Sequence, residues 1–157
     1  MGGPAGAARS LSSKLVRRVG LLLFLIVAAA GLLAGGVAAL GTGSATTVKV
    51  TLATKKKEFG LTPVPGKVAA GKITFVVSNF GALDHELVVL KTNVALDKLP
   101  VKNDKAIELG RVGKLPPLKP GMSSKKLTLT LAPGQYVLIC NVAGHYAGGS
   151  RAAFRVG

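Results

Sequence analysis

"LAPGQYVLICNVAGHYAGGS", residues 131–150, sets the terms for the rest of the chain. Pro133-Gly134 suits the centre of a type II turn, where proline presets φ and glycine accepts a positive value. The spacing predicts a hairpin in which residues 127–131 run back against residues 136–140, so that Cys140 leaves its strand at the end opposite the turn. A glycine-rich loop comes next and carries His145, five positions after Cys140. Cys140 is the only cysteine of the 157 residues and His145 is one of two histidines.

Outward from this stretch, apolar residues alternate with polar ones in short runs punctuated by Gly and Pro, the pattern of an antiparallel sandwich. In "KITFVVSN" Ile73, Phe75 and Val77 share a face. In "HELVVLK" His85, Leu87 and Val89 do so, and in "KLTLTL" Leu127, Leu129 and Leu131 alternate with threonines. All three read as half-buried strands. "VKVTLAT" (48–54) and "AAFRVG" (152–157) read as the opening and closing strands. Residues 93–120 lack a period of two, and "ALDKLP" and "KAIELG" within them carry helical character, so an irregular excursion is expected there.

Ahead of the sandwich, residues 19–40 carry no charge over 22 positions, and a membrane helix needs about 20. Arg9, Lys14, Arg17 and Arg18 precede the run, which predicts a cytoplasmic N-terminus and export of the residues beyond position 40. The expected organisation is a basic N-terminus (1–18), a hydrophobic helix acting as a transmembrane anchor (19–40), a tether (41–47) reaching about 15 Å, and one domain (48–157). A signal segment cleaved near residues 37–45 is the alternative, giving a secreted protein. From residue 48 onward 17 basic residues stand against six acidic ones, a net charge of +11. Such a surface attracts anionic lipid or an acidic protein. Scattered lysines, 4% aromatic residues and the predicted location argue against nucleic acid. A lone cysteine in an exported domain is inert and buried, paired with another molecule, or bound to metal.

His85 opens a strand after the loop "SNFGALD", Cys140 ends a later strand, and His145 lies in the loop beyond it. If those strands are neighbours, two imidazoles and one thiolate meet at one end of the sandwich, a set that suits copper. Taken singly, each residue is more ordinarily structural than a ligand. On "SNFGALDHELVVL" and "LAPGQYVLICNVAGHYAGG" the chain resembles the cupredoxins, the blue copper family, over residues 48–157. The resemblance implies an all-β Greek-key β-sandwich, here preceded by one N-terminal hydrophobic helix, with one mononuclear copper held by His85, Cys140 and His145. In the rusticyanin- and sulfocyanin-like branch a methionine stands five positions after the second histidine; here that position is Ser150. The axial ligand is therefore open between Ser150, Met122, a backbone carbonyl, water or none.

The expectation is an extracytoplasmic one-electron carrier, anchored in the membrane and not an enzyme, serving an acidic redox partner or a membrane oxidase. Copper storage or delivery without turnover, a metal-free interaction module, and an enzyme exploiting an open axial position are the competing readings. Lys55-Lys56-Lys57 and Lys125-Lys126 are candidate docking residues or merely solvated turns. Tyr146 reads equally as rim or packing, Asn79 as a residue tying the His85 loop to the cysteine loop, and Glu86 as a solvated carboxylate on the outer face.

Overall fold

The period-two segments assemble into two stacked sheets in a computed structural model that describes residues 1–2 and 44–157. The expected basic N-terminus, hydrophobic helix and first part of the tether lie outside the described residues. Among the described residues eleven strands succeed one another: β1 (Thr46–Thr54), β2 (Lys57–Val64), β3 (Lys67–Val68), β4 (Gly71–Asn79), β5 (His85–Lys91), β6 (Val101–Lys102), β7 (Lys105–Ala106), β8 (Arg111–Leu118), β9 (Lys125–Leu131), β10 (Gly134–Ile139) and β11 (Arg151–Val156). One sheet has the order β2-β1-β4-β9 and the other β3-β11-β10-β5-β8, with β6-β7 a separate ribbon. β1 runs parallel to β4 and antiparallel to β2, so the chain must cross between sheets instead of meandering.

Between the sheets lies a core of alternating side chains: Val48, Val50 and Leu52 from β1, Ile73, Phe75 and Val77 from β4, Leu87 and Val89 from β5, Tyr136 and Leu138 from β10, and Phe154 and Val156 from β11. Phe75 and Phe154 meet edge to face at 5.4 Å, an aromatic pairing worth roughly 0.5–1.5 kcal/mol beyond its buried area.

Three expectations are corrected. Pro133-Gly134 does not close a hairpin: β9 pairs with β4 and β10 pairs with β5 and β11, so the turn carries the chain from one sheet to the other. Gly134 does hold a positive φ, +151°, but that is far from the value of about +80° in a type II turn, and a Pro-Gly pair does not specify whether its flanking strands share a sheet. β5 is not half-buried, since six of its seven residues are buried. Its outward residues Val88 and Leu90 join Val137 and Ile139 under Leu96, Leu99, Ala106 and Tyr146; a strand covered on both faces reads as the continuous run "LVVL". Residues 93–120 form no helix, but contain the β6-β7 ribbon and β8, which pairs with β5.

Candidate metal centre

β10 and β11 set up the centre. The Cys140 amide donates to the Ser150 carbonyl at 2.9 Å and the Ser150 amide to the His145 carbonyl at 3.0 Å, which pinches residues 140–150 into a closed loop. Inside it the His145 amide donates to the Val142 carbonyl at 2.9 Å and the Gly148 amide to the Gly144 carbonyl at 2.9 Å. Gly144 and Gly149 hold φ of +80° and +109°, conformations that cost other residues strain. These tight turns return His145 over Cys140. β5 is the next strand to β10 in the same sheet, and it delivers His85 from the other side.

His145 Nδ1 lies 3.4 Å from Cys140 Sγ and 3.2 Å from His85 Nδ1. His85, Cys140 and His145 are buried, and one ligand atom from each falls within 4.8 Å of the others, the one such group among the described residues. A trigonal ion with nitrogens at about 2.0 Å and sulfur at about 2.3 Å, as for zinc, separates its ligand atoms by roughly 3.5–3.7 Å; the two separations from His145 lie within a few tenths of an ångström of that, and the whole group spans no more than 4.8 Å. The donor chemistry agrees: thiolate is soft and suits Cu(I), while imidazole suits Cu(I) and Cu(II) alike. Burial pushes the Cys140 thiol up despite an amide hydrogen bond from Glu86 at 3.3 Å. Burial and then the neighbouring His85 hold His145 below its usual value. An ion held by Cys140 would displace its thiol proton.

No family model and no curated protein sequence matches the chain. Solved structures do. A dithionite-reduced auracyanin from the photosynthetic bacterium Roseiflexus castenholzii is 23% identical, with 73% of this chain and 99% of that one covered at a TM-score of 0.54. Auracyanin A, a "blue" copper protein from the green thermophilic photosynthetic bacterium Chloroflexus aurantiacus, is 19% identical, covering 73% and 100% at 0.54. Rusticyanin from Thiobacillus ferrooxidans is 14% identical, covering 74% and 79% at 0.58.

The chain has the cupredoxin fold. On that scaffold, several residues behave differently from their sequence reading. Glu86 is not a solvated carboxylate: it is 5% exposed and pairs with Lys114 at 3.0 Å, which also reaches Glu108 at 3.3 Å. The excursion that buries the outer face of β5 buries Glu86 with it, and supplies the lysine. Asn79 does fix the loop before His85, but not by reaching the cysteine loop. Its amide donates to the carbonyls of Leu83 at 2.8 Å and Leu118 at 2.9 Å, and its oxygen accepts the Gly81 amide at 3.0 Å. Tyr146 is buried packing: its hydroxyl accepts the Leu99 amide and donates to the Leu96 carbonyl, both at 2.9 Å.

Met122 packs against the main core, and its sulfur accepts the Lys119 amide at 3.2 Å. Ser150 is fully buried, and its Oγ has no hydrogen-bond partner. Lys55, Lys56 and Lys57 are exposed at the β1–β2 turn, and Lys125 and Lys126 at the start of β9.

Sequence reading missed two neighbours of the histidines, both on β2. Glu58 Oε1 lies 3.0 Å from His85 Nε2, and Phe59 packs edge-on against His145 with ring centroids 5.2 Å apart. The only sequence signal was an acidic residue, one of six, set directly after three lysines in a basic chain.

Proposed function

We propose that the cupredoxin domain binds one copper ion through His85, Cys140 and His145 and passes single electrons outside the cytoplasm. The observation that carries this reading is that both histidines and the sole cysteine of the chain converge in one buried group. Copper in such a site supplies a one-electron couple between Cu(I) and Cu(II). The residues around it supply rigidity: Cys140 and Ser150 are joined backbone to backbone, His85 opens β5, and Cys140 directly follows β10, its neighbour in the sheet. The ligand atoms are thus held near bonding positions by the fold, which keeps rearrangement small when the charge of the site changes.

Burial also weighs against storage or delivery. His85 and Cys140 are fully buried and His145 is 6% exposed, which leaves little room for an acceptor to take the ion by ligand exchange. Anchoring by residues 19–40, export, and an acidic redox partner or membrane oxidase drawn by the net +11 charge from residue 48 onward complete the proposal.

The test is titration of the purified full chain, in detergent, with Cu(II), followed by optical and electron-spin-resonance spectra with Cys140→Ser alongside. An intense visible thiolate-to-copper band saturating at one equivalent and missing in the variant is expected. Equal, weak binding by both proteins sinks the reading and favours a metal-free sandwich.

A further inference from the structure

Glu58 leaves β2 with its carboxylate turned into the loop that precedes His85. Oε1 accepts the amides of Ala82 at 3.0 Å and Leu83 at 2.9 Å, Oε2 accepts the Ala82 amide at 2.9 Å, and Oε1 faces His85 Nε2 at 3.0 Å. The fit is close. A Cβ on Gly81 would overlap the Glu58 carboxylate and come within 2.6 Å of the Ala53 side chain, so glycine is required for the carboxylate to lie where it does.

The imidazole of His85 stands between Glu58 and the other two ligands. Its Nε2 is on Glu58, and its Nδ1 is 3.2 Å from His145 Nδ1. Glu58 cannot reach the same ion as Nδ1 from that side, so it is no ligand. It is instead a fixed anion behind one. A carboxylate only accepts hydrogen bonds, so Nε2 must carry the proton, and in a neutral ring Nδ1 is then the bare nitrogen. Both Glu58 oxygens accept amide hydrogen bonds, an arrangement that suits the ionised carboxylate and leaves no oxygen placed to carry a proton.

We infer that Glu58 is the positioning residue of this centre: it locks His85 as the Nε2–H tautomer, aims Nδ1 at the metal, and strengthens that nitrogen as a donor to Cu(II). The inference rests on the copper reading above for its second half only; the tautomer is a property of the metal-free protein. A carboxylate behind a ligating imidazole raises its basicity, and loss of such a partner typically costs 10–100-fold in metal affinity. A more basic donor stabilises the more highly charged oxidation state, so Glu58 should lower the potential.

The first measurement is long-range proton–nitrogen NMR on the metal-free full chain at about pH 8, above the ordinary histidine pKa of ~6.5. With two histidines the assignment is direct. Wild type should show Nε2 protonated and Nδ1 bare at His85, and Glu58→Ala should mix the tautomers. A protonated Nδ1 with a bare Nε2 in wild type overturns the inference whatever copper does.

The second measurement compares Glu58→Gln with Asp84→Asn in the copper-loaded chain. The glutamine oxygen can still accept from His85 and the loop amides, so a purely structural role survives it. The Asp84 carboxylate is bound to Lys119 at 2.7 Å and, unlike that of Glu58, makes no hydrogen bond to a histidine ring, so D84N removes the same charge without the contact. In E58Q the Cu(II)-to-Cu(I) affinity ratio should fall about tenfold, a rise of ~59 mV in potential, with D84N moving much less. Equal shifts in the two variants reduce Glu58 to a distant charge and overturn the donor half. An absent thiolate band in wild type instead sinks the copper reading, and the tautomer result still decides whether Glu58 positions His85.

Discussion

Cys140 and Ser150 face each other across the neck of the 140–150 loop, one step beyond the pair Ile139 and Arg151 in the β10–β11 register. Opposed residues of an antiparallel pair point to one face, so both side chains turn toward the interior that Leu138 and Ala152 line. Cys140 thus brings its sulfur, and Ser150 its hydroxyl, to the same side of the sheet.

Ser150 Oγ is buried without a partner, and an unsatisfied buried hydroxyl costs about 1–3 kcal/mol. Ser150→Ala should therefore leave the metal-free protein as stable or raise it by about 1 kcal/mol, read from the urea midpoint at unchanged slope. A loss greater than that would mean the hydroxyl is bonded. Comparing spectra of copper-loaded wild type and S150A then tells whether the hydroxyl senses the ion: identical spectra remove Ser150 from the axial candidates.

Phe59 shields the loop histidine. It is 38% exposed, its ring meets His145 at 74°, and a Cβ on Gly148 would come within 2.9 Å of it. Phe59→Ala should cost about 1–2 kcal/mol from lost burial and the aromatic contact. It should also speed deuterium exchange at the His145 C2 position while His85 stays slow. If the two histidines respond alike, the loop has opened as a whole and Phe59 is no specific cover.

That His85, Cys140 and His145 could meet was legible because the chain offers so few alternatives: three residues of the right chemistry, two of them in one glycine-rich loop, with strand periodicity to place the third. The sandwich was legible from Ile73, Phe75, Val77 and their counterparts. What periodicity could not supply was the partner of each strand. Residues 127–131 and 136–140 look like a hairpin locally, yet they belong to different sheets, because β4 and β5 compete for them. Glu86 and Glu58 were misread or missed for the same reason. Whether a carboxylate is solvated depends on what folds over it, and Lys114 and the 82–85 segment are each more than 20 positions away in sequence.

Asn79 anchors the loop before His85 through three hydrogen bonds, one buried and two part-buried. Asn79→Ala abandons two carbonyls and an amide, which should cost about 2–4 kcal/mol and release hydrogen-exchange protection at Gly81. Asn79→Asp should be at least as damaging, since a carboxylate would face the carbonyls of Leu83 and Leu118 with nothing to donate. An aspartate variant as stable as wild type would show that the two carbonyl contacts contribute little.

Glu108 gives the outer layer a pH dependence of defined sign. Burial pushes its carboxyl up, but hydrogen bonds from Asn141 and Arg111 and the charge of Lys114 outweigh burial and leave it below the usual range. The contacts are 2.9 Å to Asn141, 2.7 Å to Arg111 and 3.3 Å to Lys114. A folded value lower than the unfolded one means that the stabilisation is complete above the ordinary value of 4.5 and is lost as pH falls through the folded value. Glu108→Gln should therefore be less stable than wild type at neutral pH, by on the order of 1–2 kcal/mol, and the gap should close as the solution is acidified below that value. Glu58 is also held below the usual range but is present in both proteins, so its contribution cancels in the difference. Urea midpoints of the two proteins at a series of pH values provide the check. Parallel curves would mean that Arg111 and Lys114 leave Glu108 unperturbed, and that the residues next to His85 and Cys140 in the chain are held by packing in place of this charge network.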